Sequence, residues 1–371
     1  MKKLLGSFFV LMLLASACST SDDGGEAGGD SFDRAAMLVN FADNIIIPSL
    51  QKFSTDITAL DQATTAFTAD ANETNLLALR TAWSNAYLSW QAVGMFEIGK
   101  AEELSYRNFM NVFPVNAGNI DANITSESYD LGAVAAQDEQ GFGALDYMIN
   151  GLATADADIV AFYTDATNGS KYISYLTDLV DRMNNLTTEV LADWNGDYRA
   201  TFVGNSGSSA TSSVDKIAND FIFHYEKHLR AGKVGIPAGV FGTQTFDDKV
   251  EAFYKGDFSK ALFNANLDAM QDFFNGKHFG SNATGESFKT YLDFLNTIKE
   301  GEDLAEIINN QFNLSRTTAS GLDDSFTEQV RSNNNLMLNT YDELQKNVVH
   351  LKVDMLQAFS VRVDFVDADG D

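Results

Sequence analysis

Residues 75–99 read NLLALRTAWSNAYLSWQAVGMFEIG, and their spacing decides the fold class. Leu76, Leu79, Trp83, Tyr87, Trp90, Gly94 and Glu97 recur every three or four places, which lines one face of a helix. The same period runs through residues 34–60, 170–193, 213–231, 247–275, 286–299, 302–314 and 323–359. Pro48 marks a kink or break in the first of these, and only three prolines occur in 371 residues, so long helices are allowed. Strand-like alternation is confined to Val361, Val363 and Phe365, a short strand or an extended tail. The Gly/Ser-rich run Gly204–Ser213 divides the helical part. The expected architecture is all-α: two helical-bundle domains side by side, residues 31–205 and 206–371, with a cleft between them.

Composition narrows the function classes. Acidic residues outnumber basic ones 52 to 25, a formal charge of −27. That balance opposes nucleic-acid phosphates and electrostatic docking on anionic lipid. A hydrophobic content of 45% is that of a folded chain. The single cysteine, Cys18, rules out an internal disulfide. It follows a charged Met1-Lys2-Lys3 start, an apolar run from Leu4 to Ala15 and the small residues Ala15-Ser16-Ala17. This is the pattern of a secretory signal peptide over residues 1–17, too short for a permanent span.

The segment before Cys18 resembles a bacterial lipobox, with its leucine one place early at Leu14. The expectation is cleavage there and lipidation of Cys18, which attaches the chain to a membrane. An ordinary signal peptide with a chance cysteine is the alternative. Loss of Lys2 and Lys3 takes the formal charge to about −29. Residues 18–30 read as a flexible tether. Within it, Ser21-Asp22-Asp23 resembles the acidic surface-export signal of Bacteroidetes lipoproteins, or is a generic acidic linker.

Few residues carry candidate chemistry. His224 and His228 stand four apart, and two imidazoles at that spacing bind one metal ion or simply pack on a helix. Tyr225 occupies the place where a zinc protease needs Glu, and Glu226 comes one residue later. His278 and His350 stand alone. Glu97 lies on the tryptophan stripe, either turned inward with a raised pKa or already at a solvated helix end. Asp146 and Asn150 are one helical turn apart and either line a polar pocket or are satisfied by capping and solvent. Arg230 and Lys233 are a basic pair that receives an anion, pairs with Asp146 or Glu97, or marks a helix C-terminus. Asp367, Asp369 and Asp371 resemble the start of a calcium loop without its distal Glu, or form an acidic tail.

Gly141-Phe142-Gly143-Ala144-Leu145-Asp146-Tyr147 resembles the imelysin-like signature, Gly-x-His-x-x-Glu followed by an aromatic residue. Gly141 and Tyr147 match, Asp146 replaces Glu, and Gly143 stands where the family has His. Ala82-Trp83 through Trp90, Phe96 and Gly99 resembles the family's second helix, with Gly94 in place of its usual Glu. Lys233-Val234-Gly235-Ile236-Pro237-Ala238-Gly239 and the ending Val366–Asp371 are similar to the Bacteroidetes branch, and the likeness spans residues 31–371. The resemblance implies two bundles with a site between them, an association with bacterial iron uptake and a peptidase label.

On this reading the ligand site is an interdomain cleft with Glu97, Gly141, Gly143, Asp146, Asn150, Arg230 and Lys233, and His224 and His228 as metal candidates. The cofactor would be iron or another divalent metal. The partners would be a membrane, through Cys18, and an outer-membrane iron-uptake receptor. The expected function is a surface-exposed outer-membrane lipoprotein, binding or accessory in iron or haem uptake and without catalysis. A periplasm-facing location, a metal-dependent peptidase and a structural surface protein are the alternatives. No catalytic residue is assigned, because glycine neither binds a metal nor moves a proton.

Overall fold

The computed structural model describes residues 31–365. The signal peptide, Cys18, the tether and the acidic ending 366–371 lie outside them. The first half contains α1 (Arg34–Asn40), α2 (Ile47–Ala69), α3 (Glu73–Trp90), α4 (Lys100–Leu104), α5 (Tyr106–Met110), α6 (Ala117–Ser126), α7 (Gly141–Asp146), α8 (Asp156–Thr164), α9 (Gly169–Asn195) and α10 (Tyr198–Gly204). After the loop 205–212 come α11 (Ser213–Phe223), α12 (Ile236–Ala238), α13 (Ser259–Phe274), α14 (Phe288–Leu295), α15 (Leu304–Ala319), α16 (Phe326–Val348) and α17 (Leu356–Ala358). Four stretches are π-helical: Phe41–Ile46, Tyr147–Gly151, His224–Gly235 and Val349–Met355. Strand is limited, among the described residues, to the two-residue pair Ile298–Lys299 and Glu302–Asp303. The protein is all-α.

The periodic faces are buried as their spacing requires. Leu76, Leu79, Trp83, Tyr87 and Trp90 of α3 are all in the core, as are Leu176, Leu179, Met183, Leu186 and Val190 of α9. Helices α2, α3 and α9 pack together in the first half, and α15, α16 and the His224–Gly235 helix in the second. The halves meet where α1 touches α11, α3 touches α13, and Phe41 packs on Phe273 at 4.3 Å. Buried Asn40 fastens them further, donating to the Gly276 and Glu286 carbonyls at 3.0 Å each. One hydrophobic core therefore runs through both.

Several boundaries differ from the periodic reading. Helix α3 ends at Trp90 rather than reaching Gly99, so Glu97 sits on a non-helical segment. Residues 247–256 are turns, with Ala252 and Gly256 at positive φ, a conformation that breaks a helix. Pro48 lies just past the point where the π-helical Phe41–Ile46 passes into α2, so the helix type changes there but the helix runs on without a break. Residues 361–365 form no strand: they are a tail whose Val361, Val363 and Phe365 lean on the core. Among the described residues, no helix is long and apolar enough to cross a membrane.

Candidate functional site

The signature turn rests on the aromatic face of α3. Phe142 stacks on Tyr87 at 4.3 Å, and its carbonyl accepts the Trp83 indole N–H at 3.2 Å. Gly141 has φ +73°, and a Cβ there would lie 2.3 Å from the Met110 carbonyl oxygen, so no side chain fits. Gly143 is equally confined. A Cβ there would lie 2.6 Å from Val115 Cγ1 and 2.9 Å from the Val112 carbonyl. The space a histidine would need is filled. At Gly94, the second glycine substitution, a Cβ would lie 3.1 Å from the Trp90 ring, and the Gly94 carbonyl accepts from Arg107 Nε at 2.6 Å.

Asp146 is fully committed. Its two oxygens accept the backbone N–H groups of Tyr254 (2.8 Å) and Lys255 (2.9 Å), and Asn150 Nδ2 donates to it at 2.9 Å. Burial pushes its carboxyl up to about 7, against the pull of those donors. The adjoining cavity, about 120 Å³ and lined by Gly143, Asp146, Asp248 and Tyr254, is small. Asp146 and Asn150 thus clamp the 250s segment onto the motif.

The other candidates fall into three further clusters, not one cleft. Glu97 belongs to the first. Its Oε2 accepts the Arg107 N–H at 2.9 Å, and its own N–H donates to Asp220 at 2.5 Å. Arg107 Nη2 pairs with Asp220 at 2.6 Å, beside a cavity of about 280 Å³. Burial raises the Glu97 carboxyl to about 7, with Arg107 opposing.

The π-helix explains the remaining two. It advances at about 4.4 residues per turn instead of the α-helical 3.6, so residues nine apart share a face. His224, His228 and Lys233 therefore project on one side, and Glu226 and Arg230 on another. Arg230 meets Tyr341 (2.5 Å), Gln345 and Glu226 (3.6 Å), and Lys352 reaches Glu226 at 2.9 Å. Neither Arg230 nor Lys233 pairs with Asp146 or Glu97, which corrects that expectation.

Lys233 lies at the centre of a buried polar seam. Its ammonium pairs with Glu251 and donates to Gln91 Oε1 at 2.9 Å. Asn111 Nδ2 donates to Glu251 at 2.8 Å, and Asn111 Oδ1 accepts from Tyr87 OH at 2.6 Å. Asn266 donates to the Gln91 carbonyl at 2.8 Å and contacts His224 Nε2 at 3.0–3.2 Å. Tyr87, Gln91 and Asn111 come from one half, and His224, Lys233, Glu251 and Asn266 from the other. Sequence reasoning missed Gln91, Asn111, Glu251 and Asn266. Single polar residues carry no periodic signal, and only tertiary packing collects them.

His224 and His228 stack at 5.2 Å. Burial, then Arg107 and Lys233, drive both imidazoles well below their ordinary pKa, so they are neutral. The same positive field would meet a divalent cation. No group of three or more His, Cys, Asp or Glu is placed to hold a metal among the described residues. This donor set does not fit a resident metal ion.

The Imelysin family model matches residues 46–354, and the chain belongs to that family. Its fold is shared with an iron-regulated protein A precursor from Parabacteroides distasonis: TM-score 0.70, 15% identity, 89% of this chain and 97% of that one covered. It is shared also with an imelysin-like protein from Psychrobacter arcticum: TM-score 0.66, 15% identity, coverage 90% and 97%. No match was found among curated proteins.

Proposed function

We propose that this imelysin-family protein is a cell-surface lipoprotein, anchored at Cys18, that serves iron or haem uptake by binding and without catalysis. One observation carries the non-catalytic part. The position of the signature histidine is a glycine packed against Val115, and the acid beside it is consumed by two backbone N–H groups and Asn150. Metal-dependent hydrolysis needs an ion with an open position and a base for water, and Gly143 offers a side chain for neither role. The iron association rests on the family and on the iron-regulated protein A whose fold is shared. The anchor rests on the sequence pattern before Cys18.

The test is a peptidase assay on chelator-treated protein resupplied with zinc or iron. No cleavage is expected. Metal-restored cleavage that disappears in Asp146→Ala would overturn the reading.

A further inference from the structure

A cavity of about 620 Å³ contains none of the signature residues. It lies between α2, α3 and α13, and its far end is formed by residues 277–280. Small side chains create it: Ala265 and Ala269, one turn apart on α13, face Ser89 and Ala92. Its volume falls in the range of small-molecule sites.

The lining has two chemistries. Leu88, Met95, Phe273, Phe279 and Ile45 supply an apolar floor. The rim carries three carboxylates, Asp56, Asp268 and Asp272, and two ammoniums, Lys52 and Lys277. Asp56 is the most enclosed, with 11% of its side chain exposed against 53% for its partner Lys52. Asp272 pairs with Lys277 at 2.9 Å, and Asp268 pairs with Arg316 at 2.7 Å from outside the cavity. A carboxylate has about four lone-pair sites, so each accepts a further donor while keeping its present cation. An anionic head group would instead meet three carboxylates, with Lys52 and Lys277 already paired to two of them. The chain's −27 charge adds to that bias by concentrating cations at the surface.

We infer that this cavity binds an amphiphilic cation: an apolar aliphatic or aromatic body ending in a primary ammonium, its head held by Asp56 and its body on the Phe273–Met95 floor. The inference is independent of the proposed function. A matched pair of probes tests it, decylammonium and decanoate, titrated calorimetrically into the purified protein below their micellar concentrations. Decylammonium should bind at least about 10-fold more tightly than decanoate at low salt, and the ratio should shrink as salt rises. Ala269→Phe should fill the space and weaken decylammonium by at least about 10-fold with the helical spectrum retained. Asp56→Asn should bring the two probes to within about 3-fold of each other without weakening decanoate. Equal binding of both probes, tighter decanoate, or full decylammonium affinity in folded Ala269→Phe would overturn the inference. A preference unchanged in Asp56→Asn would overturn the role of Asp56.

Discussion

Lys233→Met probes the seam that joins the two halves. Methionine keeps most of the lysine stem, so packing is retained and the charge alone is removed. Lys233 and Glu251 are 3% and 1% exposed, so what remains is a buried carboxylate. It would keep only Asn111 at 2.8 Å and Gln91 Nε2 at 3.3 Å as donors. Gln91 Oε1 would lose its ammonium donor as well. Removing one partner of a buried ion pair costs about 3–5 kcal/mol. An orphaned buried acceptor costs about 1–3 kcal/mol by itself, so the expected loss lies within the ion-pair range, about 4 kcal/mol. Adding Glu251→Gln should recover most of it, because the penalty is an unpaired charge rather than lost contact. The coupling energy should then exceed about 2 kcal/mol. Guanidinium unfolding measures this, followed by far-UV dichroism and by the fluorescence of the buried Trp83, Trp90 and Trp194. A loss below about 1 kcal/mol in the single variant, or strict additivity in the double, would refute the reasoning.

Gly143→Ala should destabilise the protein by about 1–3 kcal/mol, since its methyl meets Val115 and the Val112 carbonyl. A midpoint equal to wild type in the same unfolding assay would show that the turn has room. The carboxyls of Asp146 and Glu97, both raised to about 7 by burial, predict a definite pH profile. Groups whose folded pKa lies above the unfolded value contribute stability that is full at about pH 4 and is lost as pH rises through about 7. Unfolding midpoints at pH 5 and pH 8 check the sign, and Asp146→Asn should flatten the difference. Cys18→Ala should move the protein from the membrane to the soluble fraction on cell fractionation. Unchanged fractionation would remove the lipid anchor from the proposal.

Much of the architecture was legible locally. The period of Leu76, Leu79, Trp83, Tyr87 and Trp90 reports a buried helix face, because burial selects apolar residues at the helical repeat. The glycines at Gly143 and Gly94 are also visible in the sequence. That a side chain at Gly143 would clash follows only from Val115 and Val112, which lie 2.6 and 2.9 Å from its Cβ position but about thirty residues upstream in sequence.

The site candidates show where local reading ends. On an α-helix Lys233 would face away from His224, and the π-helix turns it to the same side. The His224–Gly235 helix packs against α13 and α16, contacts that the spacing of a single segment does not encode. Glu251 meets Gln91 across 160 residues of chain, and Asn266 meets the Gln91 carbonyl across 175. The sequence by itself determined helical class, buried faces, net charge and the degenerate signature, all properties of short windows. Only the tertiary structure decided which polar groups meet, because crossing geometry between helices depends on every contact along both. It therefore separated Glu97 from Asp146, gave Lys233 to Glu251, and opened the cavity lined by Ser89, Ala92, Ala265 and Ala269.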